Sequence, residues 1–164
     1  MPAVYLNHVS VSARDLNEST RFYEDLLGME RIPTPNFGGN VQWLRVGSQQ
    51  LHLAEREVPI NNLNHFGVTV DDFPAVYRKA REMGIFNDRM QGYHLCELPD
   101  GKVQLYVQDP AGNTLEINHP DVATLPDEIR ADITKLVDAF PQSNASLQAR
   151  LYASPADAPA GGDS

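Results

Sequence analysis

The stretch Leu6-Asn7-His8-Val9-Ser10-Val11-Ser12 returns later in the chain as Leu63-Asn64-His65-Phe66-Gly67-Val68-Thr69. The two copies lie 57 residues apart, and the match continues through Asp15 and Asp72 into a helical pattern in both places. A repeat at a fixed offset is the signature of one structural unit used more than once. The sequence therefore predicts two related modules, one following the other.

Each copy predicts the order strand, helix, strands. Polar and apolar residues alternate over 4–13, Asp15 has the position of a helix N-cap, and Gly28 that of a C-terminal stop. A short strand over 29–32 and a hairpin of strands at 41–46 and 49–54 follow. The second copy predicts a strand over 65–70, a helix after Asp72 that ends near Gly84, and strands at 93–98, 102–108 and 114–118.

The repeat ends near Pro120. Thr124 as a cap and Pro126 in the first turn predict a helix whose apolar stripe comprises Ile129, Ile133, Leu136, Val137 and Phe140. A second short helix is predicted over 146–152. We therefore expect a helical extension over 121–153. Residues 154–164 hold too few apolar side chains to bury, so they are expected to form a loose tail.

Composition excludes several classes of protein. The net charge of −9 argues against a nucleic-acid-binding protein, which needs a basic surface to neutralise phosphates. No apolar run approaches the roughly 20 residues of a membrane-spanning helix, and the chain enters a strand pattern without a visible leader. Cys96 is the only cysteine, so an internal disulfide is impossible. The expected setting is cytoplasmic, without nucleic-acid or membrane partners.

Four metal-ligand candidates occupy equivalent places in the two copies. The strand faces that point away from the helices carry His8 and His52 in the first copy, and His65 and Glu116 in the second. The separations within the copies are similar, 44 and 51 residues. Imidazole and carboxylate together suit a borderline divalent metal, and open coordination positions would admit water or substrate oxygens. Taken singly, each histidine is more often a partly exposed polar residue, and only the repeat favours ligand roles.

The same residues carry a resemblance to a known family. The His-x-Ser-Val unit, Asp15 and Arg21-Phe22-Tyr23-Glu24-Asp25-Leu26-Leu27-Gly28-Met29 resemble the first module of the vicinal oxygen chelate superfamily. Asp109-Pro110-Ala111-Gly112-Asn113-Thr114-Leu115-Glu116-Ile117 resembles the closing strand of its second module. The superfamily includes glyoxalase I, bleomycin- and fosfomycin-resistance proteins, methylmalonyl-CoA epimerase and extradiol dioxygenases. The resemblance covers about residues 4–120.

The resemblance implies an α+β fold of two tandem βαβββ modules, 4–56 and 63–120, that form a half-open barrel. It implies that His8, His65 and Glu116 bind one divalent metal ion: zinc, nickel, cobalt, manganese or iron(II). The slot of His52 varies across the superfamily, with glutamate in glyoxalase I and glutamine in the epimerase. A histidine there disfavours both activities. Glu116 and His52 are also the candidate catalytic residues, and a homodimer is expected because members are commonly dimers.

Other residues on the polar faces are candidates for contact with a small-molecule substrate. Trp43 and Tyr106 suit a flat or aromatic group, and Arg45 suits a carboxylate or phosphate. Polar substrate groups are the expected partners of Gln50, Gln104 and Thr114. For each of these residues, ordinary packing is the competing interpretation.

Three functional hypotheses remain open. The first is a metal-dependent lyase, isomerase or dioxygenase in which the metal stabilises developing negative charge on substrate oxygens. The second is a metal-free protein that binds and sequesters a small molecule, as antibiotic-binding members do. The third, a structural or interaction module, has only the acidic C-terminal region in its favour. His94, His119 and Cys96 have no repeat partner, and we expect surface or loop histidines and a buried strand cysteine.

Overall fold

The computed structural model describes Leu6 and residues 8–36, 39–57, 64–89 and 92–151. In the first module the elements are β1 (His8–Ala13), α1 (Leu16–Leu27), β2 (Glu30–Ile32), β3 (Val41–Val46) and β4 (Gln49–Glu55). In the second they are β5 (His65–Thr69), α2 (Phe73–Met83), β6 (Leu95–Glu97), β7 (Val103–Gln108) and β8 (Thr114–His119). The last part of the described chain contains α3 (Asp127–Arg130), β9 (Thr134–Lys135), α4 (Leu136–Ala139) and α5 (Asn144–Leu147).

Each module builds one sheet with the same strand order. The first sheet has the order β1-β4-β3-β2, and the second has the order β5-β8-β7-β6-β9. In the first sheet β1 is parallel to β4, whereas β3 is antiparallel to both of its neighbours. Because the last strand of each module returns beside its first strand, the two copies are equivalent units, as the repeat predicts.

Matching caps fix both long helices. The Asp15 side chain accepts a hydrogen bond of 2.8 Å from the backbone N–H of Glu18, and Asp72 accepts one of 3.0 Å from Ala75. The C-terminal caps are Gly28 and Gly84, with φ of 63° and 67° in the left-handed region that favours glycine. The predicted helix limits are confirmed.

Strand alternation separates an apolar face from a polar face in each sheet. The apolar side chains that are almost completely buried include Leu44, Leu51 and Leu53 in the first sheet and Val103, Leu105, Val107, Leu115 and Ile117 in the second. The opposite faces carry the candidate site residues. The strand faces predicted from the sequence are therefore confirmed.

The turn between β7 and β8 packs with the first module. The chain divides into two compact units, one formed by the described part of Met1–Phe66 with Gln108–Thr114, the other by Gly67–Val107 with the described part of Leu115–Ser164. Within the first unit, Tyr23 Oη donates to Asp109 Oδ2 at 2.9 Å. Asn113 donates its backbone N–H to Asp109 Oδ1 at 2.7 Å, and its side-chain amide to the carbonyl oxygen of Ser12 at 2.7 Å.

Asp109 is a buried carboxyl group, with 4% of its surface exposed. Burial raises its pKa, while the hydrogen bonds from Asn113 and Tyr23 oppose that shift. Burial, followed by the nearby charge of Asp109, also raises the pKa of Tyr23 well above its usual value, so the hydroxyl stays protonated and can donate. These hydrogen bonds explain why a turn from the second module belongs to the first unit.

The prediction of a long amphipathic helix after Thr124 is wrong. A 3-10 turn at Val122–Thr124 precedes α3, which ends at Arg130, and the chain then forms β9. Strand β9 pairs in parallel with β6, with Thr134 opposite Cys96. Pairing with this short edge strand satisfies backbone groups that a continuing helix would have satisfied internally, so tertiary structure overrides the apolar periodicity. The extension is thus short helices and one strand. Instead of the second helix predicted over 146–152, the described chain forms α5 at Asn144–Leu147, which begins two residues earlier and ends before the predicted limit.

The predicted linker and the predicted C-terminal tail are only partly described, or not described, by the structure. Residues 58–63 of the predicted linker and residues 154–164 of the predicted tail lie outside the described residues. Among the residues that are described, no helix is long and apolar enough to cross a membrane.

Tyr23→Phe tests the buried hydrogen bond to Asp109. We expect a loss of about 1.5–3 kcal/mol in the free energy of unfolding, because hydrogen bonds to charged groups contribute that much and the acceptor stays buried. Urea denaturation measures the loss. Tyr77→Phe is the matched control, since Tyr77 donates at 2.6 Å to Asp132, whose side chain is 39% exposed. An equal or larger loss in the control would contradict a special role for Asp109.

Candidate metal centre

In the first unit, three aromatic rings form a column across β3, β4 and β1. The rings of Trp43 and His52 stack with centroids 4.1 Å apart and an interplanar angle of 5°. On the β1 side, His52 stacks on His8 at 4.3 Å and 16°. The register explains this, since Trp43 is opposite His52 and His52 is opposite Ser10, two residues after His8. The predicted pair of histidines is therefore brought together.

His52 has a defined hydrogen-bond partner and a lowered basicity. Its Nε2 lies 2.8 Å from Gln50 Oε1. A carbonyl oxygen only accepts, so in this arrangement Nε2 carries the hydrogen and Nδ1 keeps the lone pair. Burial, with a smaller contribution from the charge of His8, lowers the pKa of His52. The neutral imidazole favoured by that shift is the form that binds metals.

In the second unit, Glu116 is a buried carboxylate on β8, with 6% of its surface exposed. Gly67 on the neighbouring strand β5 gives it room. A Cβ atom at Gly67 would lie 3.1 Å from Glu116 Oε1 and 3.0 Å from Asn118 Nδ2. Both distances are closer than ordinary van der Waals contact, so the positions of these two side chains depend on a residue without a side chain at position 67.

The two modules place their last-strand candidates in the same way. In the first, the residue two after His8 is Ser10, which lies opposite His52. In the second, the residue two after His65 is Gly67, which lies against Glu116. The equivalence of His52 and Glu116 that the repeat predicts is therefore present in the strand packing. His65 itself is the first residue of β5 and is exposed.

Next to Glu116, a polar group spans β6 and β7. Tyr106 Oη donates to Gln104 Oε1 at 3.1 Å, and Cys96 Sγ lies 3.8 Å from the same oxygen. Burial, followed by the charge of Glu116, raises the pKa of Cys96 to about 12. Cys96 is 1% exposed, so it is a protonated strand residue, as predicted, and is unsuited to act as a thiolate nucleophile.

The remaining substrate-contact candidates differ in their surroundings. Arg45 is exposed and pairs with Glu30 at 2.6 Å across β2 and β3. Thr114 is almost fully buried, with 1% of its surface exposed, at the start of β8. Gln50 and Gln104 serve as acceptors for His52 and Tyr106, so both amides already orient other candidate residues.

The two unrepeated histidines have structural partners. His94 precedes β6, stacks on Phe86 at 4.2 Å, and lies 2.8 Å from Asp132 Oδ2. His119, predicted as a surface or loop histidine, is the last residue of β8, so the loop alternative is wrong. Its Nε2 lies 2.7 Å from Thr124 Oγ1. These contacts attach the C-terminal extension to the second unit.

Asn118 is a candidate site residue that the sequence analysis did not find. It lies two residues after Glu116 on the same strand face and is 5% exposed. Its Oδ1 is buried without a hydrogen-bond partner among the described residues. A buried acceptor without a donor is costly, so Asn118 Oδ1 is a candidate contact for a water molecule, an ion or a ligand. No sequence motif marks it, because the signal is the missing donor.

The chemical groups found in the two modules are of the kinds predicted as metal ligands. One module supplies a neutral imidazole, and the other supplies a buried carboxylate beside an orphaned carbonyl oxygen. Among the described residues, however, no three His, Cys, Asp or Glu side chains are grouped closely enough to hold a metal ion. The four-ligand set therefore stays a prediction.

A model of the Glyoxalase/Bleomycin resistance protein/Dioxygenase superfamily matches residues 5–117, more than half of the chain. The chain belongs to this superfamily. The predicted fold class, α+β with two tandem βαβββ modules of glyoxalase type, is confirmed.

Relatives in the superfamily include enzymes. The chain is 32% identical to "Glyoxylase I 4" of Arabidopsis thaliana, over 71% of this chain and 71% of that protein. It is 26% identical to "Metallothiol transferase FosB" of Staphylococcus epidermidis, over 72% of this chain and 83% of that protein. The solved structure "Oxidase ChaP-H2" is 29% identical with a TM-score of 0.58, over 73% of this chain and 97% of that chain.

Gly67→Ala tests the clearance for Glu116. The new methyl group would push the ends of Glu116 and Asn118 aside, so we expect metal affinity to fall about 10-fold, as for other changes in the outer shell of metal sites. Titration of the purified protein with zinc or cobalt measures the affinity. Gly39→Ala is the control, because a Cβ there meets nothing within 4 Å. Unchanged affinity in Gly67→Ala would contradict the role of the glycine.

Asn118→Leu tests the orphaned acceptor. Removing an unpaired buried oxygen while keeping a similar volume should raise the free energy of unfolding by about 1 kcal/mol. The matched control is Asn87→Leu, at an asparagine that is 1% exposed and accepts from the backbone N–H of Arg89. The control should lose stability. If both variants lose stability equally in urea denaturation, Asn118 is an ordinary structural residue.

Proposed function

We propose that this member of the superfamily is a divalent-metal-dependent enzyme that acts on a small molecule chelated through two neighbouring oxygens. The proposed ligands are His8, His65 and Glu116, with His52 as a fourth, weaker ligand. The chemistry is that of a lyase, an isomerase or a ring-cleaving dioxygenase. The relatives named as a glyoxylase, a transferase and an oxidase support an enzymatic function.

The single observation that carries the proposal is the placement of Glu116. A carboxylate that is only 6% exposed is costly unless it interacts with donors or a cation. Gly67 leaves the space that this side chain occupies, and its module equivalent Ser10 lies opposite His52. The same site in both modules thus carries a side chain able to bind a metal.

Each ligand candidate would have a distinct task. Glu116 would contribute negative charge, and the histidines would contribute neutral nitrogen donors. A bound divalent metal would supply Lewis acidity that polarises the substrate oxygens and stabilises the charge that develops on them. Trp43, stacked on His52, would present the exposed part of its ring to an apolar portion of the substrate. The hydroxyl of Tyr106 stays protonated because burial and the charge of Glu116 raise its pKa.

Substitution of the ligands tests the proposal. His65→Ala and Glu116→Ala should each remove most of the bound metal, measured by elemental analysis of untagged protein purified without added metal. His52→Ala should lose less, because its slot varies across the superfamily and His52 is the weaker proposed ligand. Full occupancy in the first two variants would contradict the site. A larger loss in His52→Ala would show that the ligands are ranked wrongly.

A second candidate function is metal-free binding of a flat small molecule. The column of Trp43, His52 and His8 favours it, since stacked rings form a surface suited to aromatic ligands. Chelator treatment separates the two functions: ligand binding that survives complete metal removal supports sequestration. Among the enzymes, oxygen uptake with a catechol selects a dioxygenase. Turnover of a methylglyoxal–thiol adduct without oxygen selects a glyoxalase.

A further inference from the structure

The second sheet has one strand more than the described part of the first. Its strands β5-β8-β7-β6 repeat the order of the first sheet, and β9 is added beside β6. Strand β9 belongs to the C-terminal extension and lies beyond residues 5–117, which the superfamily model matches. It pairs in parallel with β6, with Thr134 opposite Cys96 and Lys135 opposite Glu97. The extension therefore supplies the outermost strand of this sheet.

Strand β6 has an outer edge that would attract another strand if β9 were absent. Leu95 and Cys96 are 0% and 1% exposed, so this short strand is mostly apolar and buried. Unpaired backbone N–H and C=O groups on such an edge are a template for pairing with another chain. Strand β9 replaces this edge by one of two residues that ends in the exposed Lys135. Short edge strands that carry lysine resist edge-to-edge pairing.

One carboxylate holds the middle of the extension. Asp132, two residues before β9, accepts from Tyr77 Oη at 2.6 Å, and the same carboxylate oxygen lies 2.8 Å from His94 Nε2. Burial raises the pKa of Asp132, but the hydrogen bonds with Tyr77 and then His94 outweigh burial and lower it, so the carboxylate is ionised. Because the Asp132 side chain is 39% exposed, solvent weakens both contacts. The anchor is therefore one that opens at modest cost.

The two described ends of the extension are attached elsewhere, at the turn between β6 and β7. The backbone N–H of Val122 donates to the carbonyl oxygen of Gly101 at 2.9 Å. The backbone N–H of Leu151 donates to Asp100 Oδ2 at 3.1 Å, and the Asp100 side chain is only 3% exposed. Loss of the contacts at Asp132 would thus free β9 and leave both ends of the extension in place.

We propose that β9 is a displaceable cover, held by Asp132, and that the β6 edge beneath it is a docking edge for a second copy of this chain. A two-fold interface uses the same surface on both partners, so two β6 strands would pair antiparallel. A pair centred on Cys96 places the two Cys96 residues opposite each other, with Cα atoms about 4.5–5.5 Å apart, which a disulfide can bridge. Neither metal binding nor catalysis is required for this pairing.

Asp132→Ala removes the acceptor of both anchoring contacts. With diamide as the oxidant, we expect about 10-fold more dimer cross-linked through Cys96 than in the unmodified protein, because two hydrogen bonds no longer hold the cover closed. Non-reducing gels measure the dimer, and Cys96 is the only cysteine, so every disulfide-linked dimer reports this residue. Asp138→Ala is the matched control, at an exposed aspartate of α4 in the same extension, and should match the unmodified protein.

Hydrogen exchange measures the opening of the cover without an oxidant. In dilute Asp132→Ala, the amides of Leu95–Glu97 should exchange faster than in the unmodified protein, while those of the neighbouring strand Val103–Gln108 stay protected. If Asp132→Ala does not fold, Tyr77→Phe replaces it. That variant keeps the ring, removes one of the two contacts, and should show smaller changes in the same direction.

Increased cross-linking together with faster exchange in β6, and a silent Asp138→Ala, supports the cover and its docking edge. Cross-linking in Asp132→Ala that does not exceed the level in Asp138→Ala overturns the docking edge. Amides of β6 that stay protected in Asp132→Ala overturn the role of Asp132 as the anchor. A dimer cross-linked to the same extent in the unmodified protein shows that β9 does not close the edge, and overturns the proposal as well.

Discussion

The buried carboxylate of Asp109 is the constraint that holds the first unit together. It accepts from Tyr23 on α1 and from the backbone of Asn113, whose side chain reaches the Ser12 carbonyl at the end of β1. A carboxyl group in an apolar interior is tolerated only with such partners. Since β8 begins directly after this turn, at Thr114, the same hydrogen bonds fix the start of the strand that carries Glu116.

Local signals predicted most of the fold, but not the structural role of this turn. The caps Asp15 and Asp72, the left-handed glycines and the hairpin at Gly47 depend on nearby residues, so each is readable in a short window. By its local residue pattern, the stretch Asp109-Pro110-Ala111-Gly112-Asn113 predicts a turn and no partner for Asp109. Its bond to Tyr23 spans 86 residues, and no local pattern contains that partner.

The C-terminal extension shows the opposite failure, in which a local pattern was present and did not decide the structure. Helical periodicity links Ile129 to Phe140, yet Thr134 joins the edge of the second sheet instead. Two side-chain hydrogen bonds hold the chain at this edge of the sheet, because Tyr77 and His94 both contact Asp132, just before β9. An edge strand with unpaired backbone groups competes with a helix whenever the chain passes beside it, and intrinsic helix propensity is too small to prevent this.

For the candidate site, alternation placed side chains on faces, whereas cross-strand register decided what each one touches. From the sequence alone, Gly67 is only a residue with low strand propensity, and its closeness to Glu116 is visible only in the structure. In the same way, no sequence pattern indicates that Asn118 Oδ1 lacks a hydrogen-bond donor. Both depend on which residues lie opposite one another, and that information is not local.

The two modules have also diverged in how they hold their equivalent candidates. His52 is packed between the rings of Trp43 and His8 and is favoured in its neutral form, so the first module offers an aromatic surface with little charge. Glu116 is a buried carboxyl group with clearance at Gly67, so the second module offers an acidic side chain. An imidazole can be kept in place by stacking alone, but a buried carboxylate needs donors or a cation. In the proposed site, the negative charge that a cation requires would therefore come from the second module.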